Sequence, residues 1–390
     1  MKLLILASHP VQYHAPVFRS ISQQLAQHGH ECLVVYLSDF SIQGYQDPGF
    51  STSLAWDEPL LEGYRSQVLN PNSKNSPQNF FALKAPGWSH LIKTERPTRL
   101  LVTTLNYQGA ISAVLQARAA GIPCTLRVET NDSTSSRTQL KDVGRSLVYK
   151  SLYKCFDSAI AIGSLNRQHL IKHGIQKENT GLAYYCVPDR FKKIYSQEKQ
   201  NLRQKIRGQL GVTQEQFVVL FCGKLITKKN PEMLLQAAMQ LPQSKRQSLV
   251  LLYVGSGSLE KRLQSVAANI PNLKVHFVGF KNQLELPPYY LASDALVLPS
   301  NRQGETWGLV VNEALQAGLP CIVTDAVGCS ADFSKLANFQ VIPETNAELL
   351  AEAMSKIMFK PRDFERYKLA MNKFSVQHCS SEITSFLLRL

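Results

Sequence analysis

Short apolar runs alternate with amphipathic stretches along most of this 390-residue chain. In the first half, runs at 3–7, 32–37, 100–103, 124–127 and 158–162 predict buried strands, and helical periodicity at 15–28, 109–120 and 165–173 predicts the helices between them. Gly121-Ile122-Pro123 and Gly174-Ile175 punctuate the helix ends. A charged, Gln-rich stretch at 192–213 interrupts the alternation and leads into a helix that ends near Gly211. A second series follows, with strands at 218–222, 249–254, 275–278, 295–298, 321–324 and 339–341. Alternation of this kind builds a parallel doubly wound sheet, and two series imply two α/β domains. A length of 390 residues is long for one core and agrees with two. The expected divisions are 1–191, a linker and lead-in helix at 192–214, 215–375, and a closing segment at 376–390 whose helix is read at 380–390. Residues 41–84 have little periodicity and many Asn, Ser, Pro and Gly residues, which predicts a long surface loop or an excursion facing a substrate.

Charge narrows the partners. There are 43 basic and 29 acidic residues, for a net charge of +14, which favours anionic partners. No zinc-finger spacing or aromatic RNA-binding motif accompanies this surplus, so nucleic acid is not expected. The basic, apolar-spaced segment 141–154 could rest on an anionic membrane surface; the reading preferred here is a core-packed helix with a basic solvent face. Eight cysteines lie mostly in apolar runs with no C-x-x-C pair, which points to buried free thiols in a reducing, cytoplasmic setting rather than to disulfides or zinc. The apolar run after Met1 ends at Ser8-His9-Pro10, too short for a signal peptide. No run approaches the ~18 apolar residues of a membrane span. The expected location is cytoplasmic, with peripheral contact at the inner membrane face as an extension.

The chemistry concentrates in 294–327. An apolar strand at 295–298 runs into a polar loop carrying Glu305, then a helix carrying Glu313, then Gly318-Leu319-Pro320 and a second strand. Ligands collect at strand C-termini and helix N-termini in such units. The amides of Thr306, Trp307, Gly308 and Leu309 open the helix and form an anion site. Eight residues separate the carboxylates, about 12 Å along a helix axis with roughly 80° of rotation, so both can face one cleft. One can grip sugar hydroxyls and the other a ribose. Two solvated glutamates on an amphipathic helix are the alternative.

The order Asp294, Pro299-Ser300, Glu305, Gly308-Leu309, Glu313-Ala314, Gly318, Pro320, Ile322 resembles the donor-binding segment of retaining family 4 glycosyltransferases. That resemblance implies the GT-B fold: two Rossmann-like parallel-sheet domains facing a cleft, with the last helix crossing back to the first domain. It implies a nucleotide-sugar donor, a glycan or lipid-linked acceptor and no cofactor. Gly223-Lys224…Lys228-Lys229-Asn230-Pro231 looks like the family's Gly-Arg-Leu…Lys stretch, with Lys224 in place of Arg, which keeps the charge and loses the bidentate fork. Lys229, with Lys228 as the fallback, and Lys224 would then neutralise diphosphate. Gly255-Ser256-Gly257 is a weak glycine-rich turn, and Gly279 resembles the turn beside the base. The loop 9–14 lacks the family's usual glycines and offers Gln12 and His14 as substrate contacts; His9 and His14 have no acidic or Cys partner for a metal site. After the strand at 124–127, Arg127, Glu129 and Asp132 lie where many family members place a cleft-facing acid. Glu129 is the candidate to polarise an acceptor hydroxyl, beside a structural Arg–Glu contact as the alternative.

The resemblance implies transfer with retention, and with no Asp-x-Asp motif beside the diphosphate that transfer is expected to be metal-independent. Two other functions share the cleft: a GT-B nucleotide-sugar epimerase, which turns over donor without acceptor, and a non-catalytic nucleotide-sugar or polyanion-binding protein.

Overall fold

The computed structural model describes residues 1–42, 44–47, 52–54, 56–72, 77, 79–135 and 138–390; parts of the expected 41–84 excursion lie outside this set. The first part of the chain supplies β1 (Lys2–Ala7), β2 (Glu31–Ser38), a hairpin of β3 (Tyr45–Asp47) and β4 (Thr52–Leu54), β5 (Ser66–Asn70), β6 (Arg99–Val102), β7 (Cys124–Leu126), β8 (Ser158–Ala161) and β9 (Thr180–Leu182). All but the hairpin form one sheet in the order β5-β2-β1-β6-β7-β8-β9. Its pairs are parallel, with Leu3 opposite Cys32 on one side and Arg99 on the other. The second part supplies β10 (Phe217–Cys222), β11 (Leu249–Val254), β12 (Lys274–Phe277), β13 (Ala295–Leu298), β14 (Cys321–Thr324) and β15 (Phe339–Ile342), ordered β12-β11-β10-β13-β14-β15. This is the GT-B architecture.

Both sheets are buried on both faces, which is why their strands are continuous apolar runs. In β1, Leu4 and Leu6 enter one core while Leu3, Ile5 and Ala7 enter the other. In β10, Val218, Leu220 and Cys222 alternate in the same way with Phe217, Val219 and Phe221. The strand order reverses beside β1 and beside β10, which opens a crevice at the strand C-termini of each sheet.

The connecting helix is anchored to the second half, and two further contacts tie the halves together. The helix Ser196–Gln209 carries Arg203 and Arg207, whose guanidinium groups bind the buried Asp294 at 2.6 and 3.1 Å. That carboxylate also accepts from the Val218 amide at 2.8 Å, so this position of the donor-like motif is structural. The last helix, Val376–Arg389, lies on the helix Ala15–Gln27 of the first half, with the Ser20 and Ser380 hydroxyls 2.6 Å apart. Near the crossing, Trp307 is buried with Tyr185, Phe333 and Phe374. Gly163 meets that indole so closely that a Cβ there would lie 2.3 Å from Trp307 Cζ3.

The helix Gln139–Tyr153 departs from the preferred expectation. Only Tyr153 on it is buried, and Leu140, Val143, Leu147 and Val148 all stand exposed. Only its C-terminal end is packed into a core, through Tyr149, Leu152 and Tyr153. Charge and apolar spacing identify a helix but not what covers its apolar face.

Candidate active site

The loop after β13 is held from both sides. The Gly328 amide donates to the Glu305 carbonyl at 2.9 Å and the Cys329 amide to the Trp307 carbonyl at 3.0 Å. Gly328 has no room for a side chain, since a Cβ would lie 1.8 Å from the Thr306 carbonyl oxygen. Gly308 adopts φ 97° and opens the helix Leu309–Gln316, a left-handed conformation that glycine tolerates. These constraints aim Glu305 and the first-turn amides of 306–309 at the cleft. The indole of Trp307 turns inward, its Nε1 donating to Asn312 Oδ1 at 2.8 Å, so only its backbone is available to a ligand.

Glu305 is buried and faces Lys229, whose Nζ lies 2.5 Å from Oε2; the Ser300 hydroxyl donates to the same oxygen at 3.2 Å. Burial pushes this carboxyl up, and Lys229 with help from Lys228 and Ser300 more than reverses it, so it stays below the ordinary carboxylate value. Lys228 donates to the Gly304 carbonyl at 2.7 Å. Its own pKa is lowered, first by burial and then by the neighbouring cations Lys229 and Lys224, against the pull of Glu305. Lys229 and Lys228 thus divide the roles weighed between them: one holds the carboxylate and the other the loop. Lys224 sits two residues past β10, in the same cation-rich turn.

Glu313 lies in the helix and is buried. Tyr290 donates to its Oε2 at 2.5 Å, while Oε1 is buried without a hydrogen-bond partner. Burial outweighs the help from Tyr290 and Arg190, and from Gln283 and Tyr13 close by, and raises this carboxyl. An orphaned buried acceptor is costly, so a ligand hydroxyl at Oε1 would restore what the fold leaves unmade. Gly279, at φ 72°, gives its carbonyl to the Gly255 amide at 2.8 Å and has open space where a Cβ would be.

Across the cleft, Glu129 follows β7. Tyr185 donates to Oε1 at 2.6 Å and the Thr306 hydroxyl to Oε2 at 3.3 Å, so one carboxylate joins the two domains. His14 Nε2 lies 3.0 Å from the Tyr185 hydroxyl and 3.7 Å from Glu129 Oε1. Some 43 % of the Glu129 side chain reaches the cleft, yet these groups wall it closely enough for desolvation to act. That desolvation is outweighed by His14, Tyr185 and Thr306, which leave the carboxyl below its ordinary value. Arg127 instead binds the Ala183 carbonyl at 2.9 Å, so the Arg–Glu alternative does not describe this site. Gln12 is buried with Oε1 unpartnered.

Asp132 belongs elsewhere. It accepts from His169 Nδ1 at 2.9 Å, Lys172 at 3.1 Å and His173 Nε2 at 3.1 Å. The ligand atoms of Asp132, His169 and His173 lie within 4.8 Å of one another. The other ring nitrogens are occupied by Tyr153 and Ser146, and Lys172 and Arg145 supply cations, so the donor set fits a charge cluster better than a metal.

Tyr185, Tyr290 and Arg190 were not singled out in the sequence, and Ser300 entered only as part of the Pro299-Ser300 motif. Tyr185 stands 171 residues from His14 and Tyr290 23 from Glu313, with no local motif to mark either.

Residues 203–373, within the second half of the chain, match the family described as glycosyl transferases group 1. Among curated relatives, an Escherichia coli UDP-Gal:alpha-D-GlcNAc-diphosphoundecaprenol alpha-1,3-galactosyltransferase is 30% identical over 238 residues, covering 58% of each chain. The lipopolysaccharide glucosyltransferase WaaG of Escherichia coli K12 is 27% identical over 155 residues, 37% of this chain and 40% of its own. The chain spans about half the length of the curated relatives it matches. In structure, Anabaena HepE in complex with UDP superposes with a TM-score of 0.72 over 100% of both chains at 20% identity, a likeness of fold.

Proposed function

We propose that this protein is a retaining glycosyltransferase that moves a sugar from a nucleotide diphosphate sugar to a hydroxyl, without a metal ion or other cofactor. Lys224, Lys229 and the amides at 306–309 would carry the diphosphate charge. Glu305 would orient the donor sugar through its hydroxyls, and Glu313 would take the ribose with its orphaned oxygen. The acceptor oxygen bonds the anomeric carbon on the face the diphosphate leaves, the carbon–phosphate oxygen bond breaks, and the acceptor proton passes to the departing oxygen. Glu129, linked to the donor loop through Thr306, would polarise the acceptor hydroxyl. The observation that carries this reading is the Lys229–Glu305 pair seated at the opening of the Glu313 helix, with Glu129 of the other domain one hydroxyl away.

The acceptor in this reading is a glycan or lipid-linked saccharide, in polysaccharide, lipopolysaccharide or glycolipid synthesis, as the names of the galactosyl- and glucosyltransferase relatives suggest. Cytoplasmic placement is part of the proposal. Among the described residues no helix is long and apolar enough to cross a membrane.

Thermal melts with UDP, GDP, ADP and their sugar conjugates, in chelator, test this reading. Stabilisation selective for one diphosphate is expected. No shift with any of them at millimolar concentration would turn the assignment toward a binding protein of another kind.

A further inference from the structure

The loop that carries Glu305 is bonded to the first domain at the two residues that flank it. The Gly304 amide donates to the Thr134 carbonyl at 2.6 Å, and the Thr306 carbonyl accepts from Asn131 Nδ2 at 3.2 Å. Ser135 and Gln303 form an antiparallel bridge beside them, and Arg302 Nη1 donates to the Ser133 carbonyl. The Glu305 carbonyl, between these bonds, takes the Gly328 amide of its own domain at 2.9 Å. The backbone at Glu305 is therefore gripped from both domains.

The first-domain side of this grip is itself anchored. The Thr130 carbonyl accepts from Asn166 Nδ2 at 2.6 Å, and Asp132 is fixed by His169, Lys172 and His173. Asn131, between them, is only 3 % exposed, and its Oδ1 accepts from the Ser133 and Thr134 amides at 3.1 Å each. This Asx turn aims the Thr134 carbonyl at Gly304, while Nδ2 of the same side chain takes the Thr306 carbonyl. One buried amide thus sets both bonds that flank Glu305. A local turn needs Oδ1 alone, which Asp supplies equally well; the Nδ2 donor is needed only across the domain boundary.

We propose that Asn131 is a positioning residue of the first domain, which sets Glu305 toward the donor sugar through the backbone of 304–306. The sugar grip is then complete only while the two domains are joined at this ribbon. This rests on the transfer reading above, which gives Glu305 its role. A displacement of about 1 Å at a gripping group costs on the order of 100-fold in rate, so a side chain without contact to the sugar controls the site. Glu313, on its own helix, makes no bond to this ribbon, and nucleotide and sugar should therefore respond separately.

The test is amide hydrogen exchange on the full chain, read at 301–307 with strand β10 as internal control, in the wild type, Asn131→Ala and Asn131→Asp. Both variants should speed exchange at 301–307 by about 3- to 10-fold and leave β10 unchanged. Arg302→Met removes the neighbouring bond to Ser133 from the second-domain side; it should speed the same amides, and it decides the matter if the Asn131 variants do not fold. UDP and UDP-glucose are titrated alongside. UDP should bind both Asn131 variants within about twofold of the wild type, and UDP-glucose about 3- to 10-fold more weakly. If Asn131→Asp behaves as the wild type, the residue serves its local turn alone and the inference is overturned. Unchanged exchange at 301–307 in every variant overturns it too, as does an equal loss of UDP and UDP-glucose. A wild type that answers no nucleotide overturns the transfer reading, and the exchange result still decides whether Asn131 holds the donor loop.

Discussion

Replacing Glu313 by Gln should stabilise the free protein and weaken nucleotide binding, two effects of opposite sign from one atom. The carboxylate takes one hydrogen bond from Tyr290 at 2.5 Å, and Oε1 is buried with none. Leaving a buried polar group unsatisfied costs about 1–3 kcal/mol, more when it is charged. Gln keeps the acceptor for Tyr290, drops the charge and still leaves an amide end unpaired, so a net gain of about 1 kcal/mol is expected. For a domain of this size that raises the melting midpoint by about 2–4 °C. The sign with pH follows from the raised carboxyl. Its ionised form burdens the fold, so the wild type's disadvantage should shrink as pH falls through the raised folded pKa and be gone once pH is below the ordinary value of about 4.3. On the ligand side, hydrogen bonds from ribose hydroxyls to a charged acceptor contribute about 1.5–3 kcal/mol, so affinity should fall roughly 10- to 100-fold. Calorimetric melting and nucleotide titration of both proteins at pH 7 provide the assay. A lower midpoint, or an unchanged nucleotide affinity, would refute the claim that this oxygen is held open for a ligand.

The other expectations are independent of it. Lys229→Met removes the partner of a buried carboxylate; Glu305 should then titrate higher, and nucleotide affinity should fall at least tenfold, an unaltered affinity counting against Lys229 as a diphosphate contact. Gly163→Ala places a methyl against Trp307 where the domains meet and should cost about 1–3 kcal/mol, while an unchanged melt would mean that contact is loose. Asp294→Asn strands Arg203 and Arg207 and should cost about 3–5 kcal/mol in urea unfolding; a cost under 1 kcal/mol would show the triad to be solvated. Burial holds the His169 imidazole down to about 4, against the pull of Asp132. Its contribution should therefore be complete above pH 6.5 and be lost as pH falls from there toward 4, and His169→Gln should flatten that part of the stability profile.

Much of the scaffold was legible because both sheets are buried on both faces, so that strands such as Val250–Leu252 are plain apolar runs between turns. The two edge strands of the first sheet were not. β5 (Ser-Gln-Val-Leu-Asn) and β9 (Thr-Gly-Leu) pair on one side only and mix polar with apolar residues, which leaves no periodicity to read. The Glu305, Lys229 and Glu313 positions could be read from spacing and resemblance because each lies in one β-loop-α segment. Their partners could not, since Tyr185 reaches Glu129 across 56 residues and Tyr290 reaches Glu313 from a separate helix. The helix Gln139–Tyr153 met its expectation only in part for a related reason: its stripe looks like a core face throughout, and the tertiary structure covers Tyr149, Leu152 and Tyr153 while leaving Leu140, Val143, Leu147 and Val148 exposed.

The most direct test of the central claim is time-resolved proton NMR of nucleotide-sugar turnover, in chelator, by the wild type and by Glu305→Gln. The account predicts that the first sugar product carries the anomeric configuration of the donor, and that Glu305→Gln binds the nucleoside diphosphate but gives no turnover. An inverted first product, or undiminished turnover by Glu305→Gln, would contradict it.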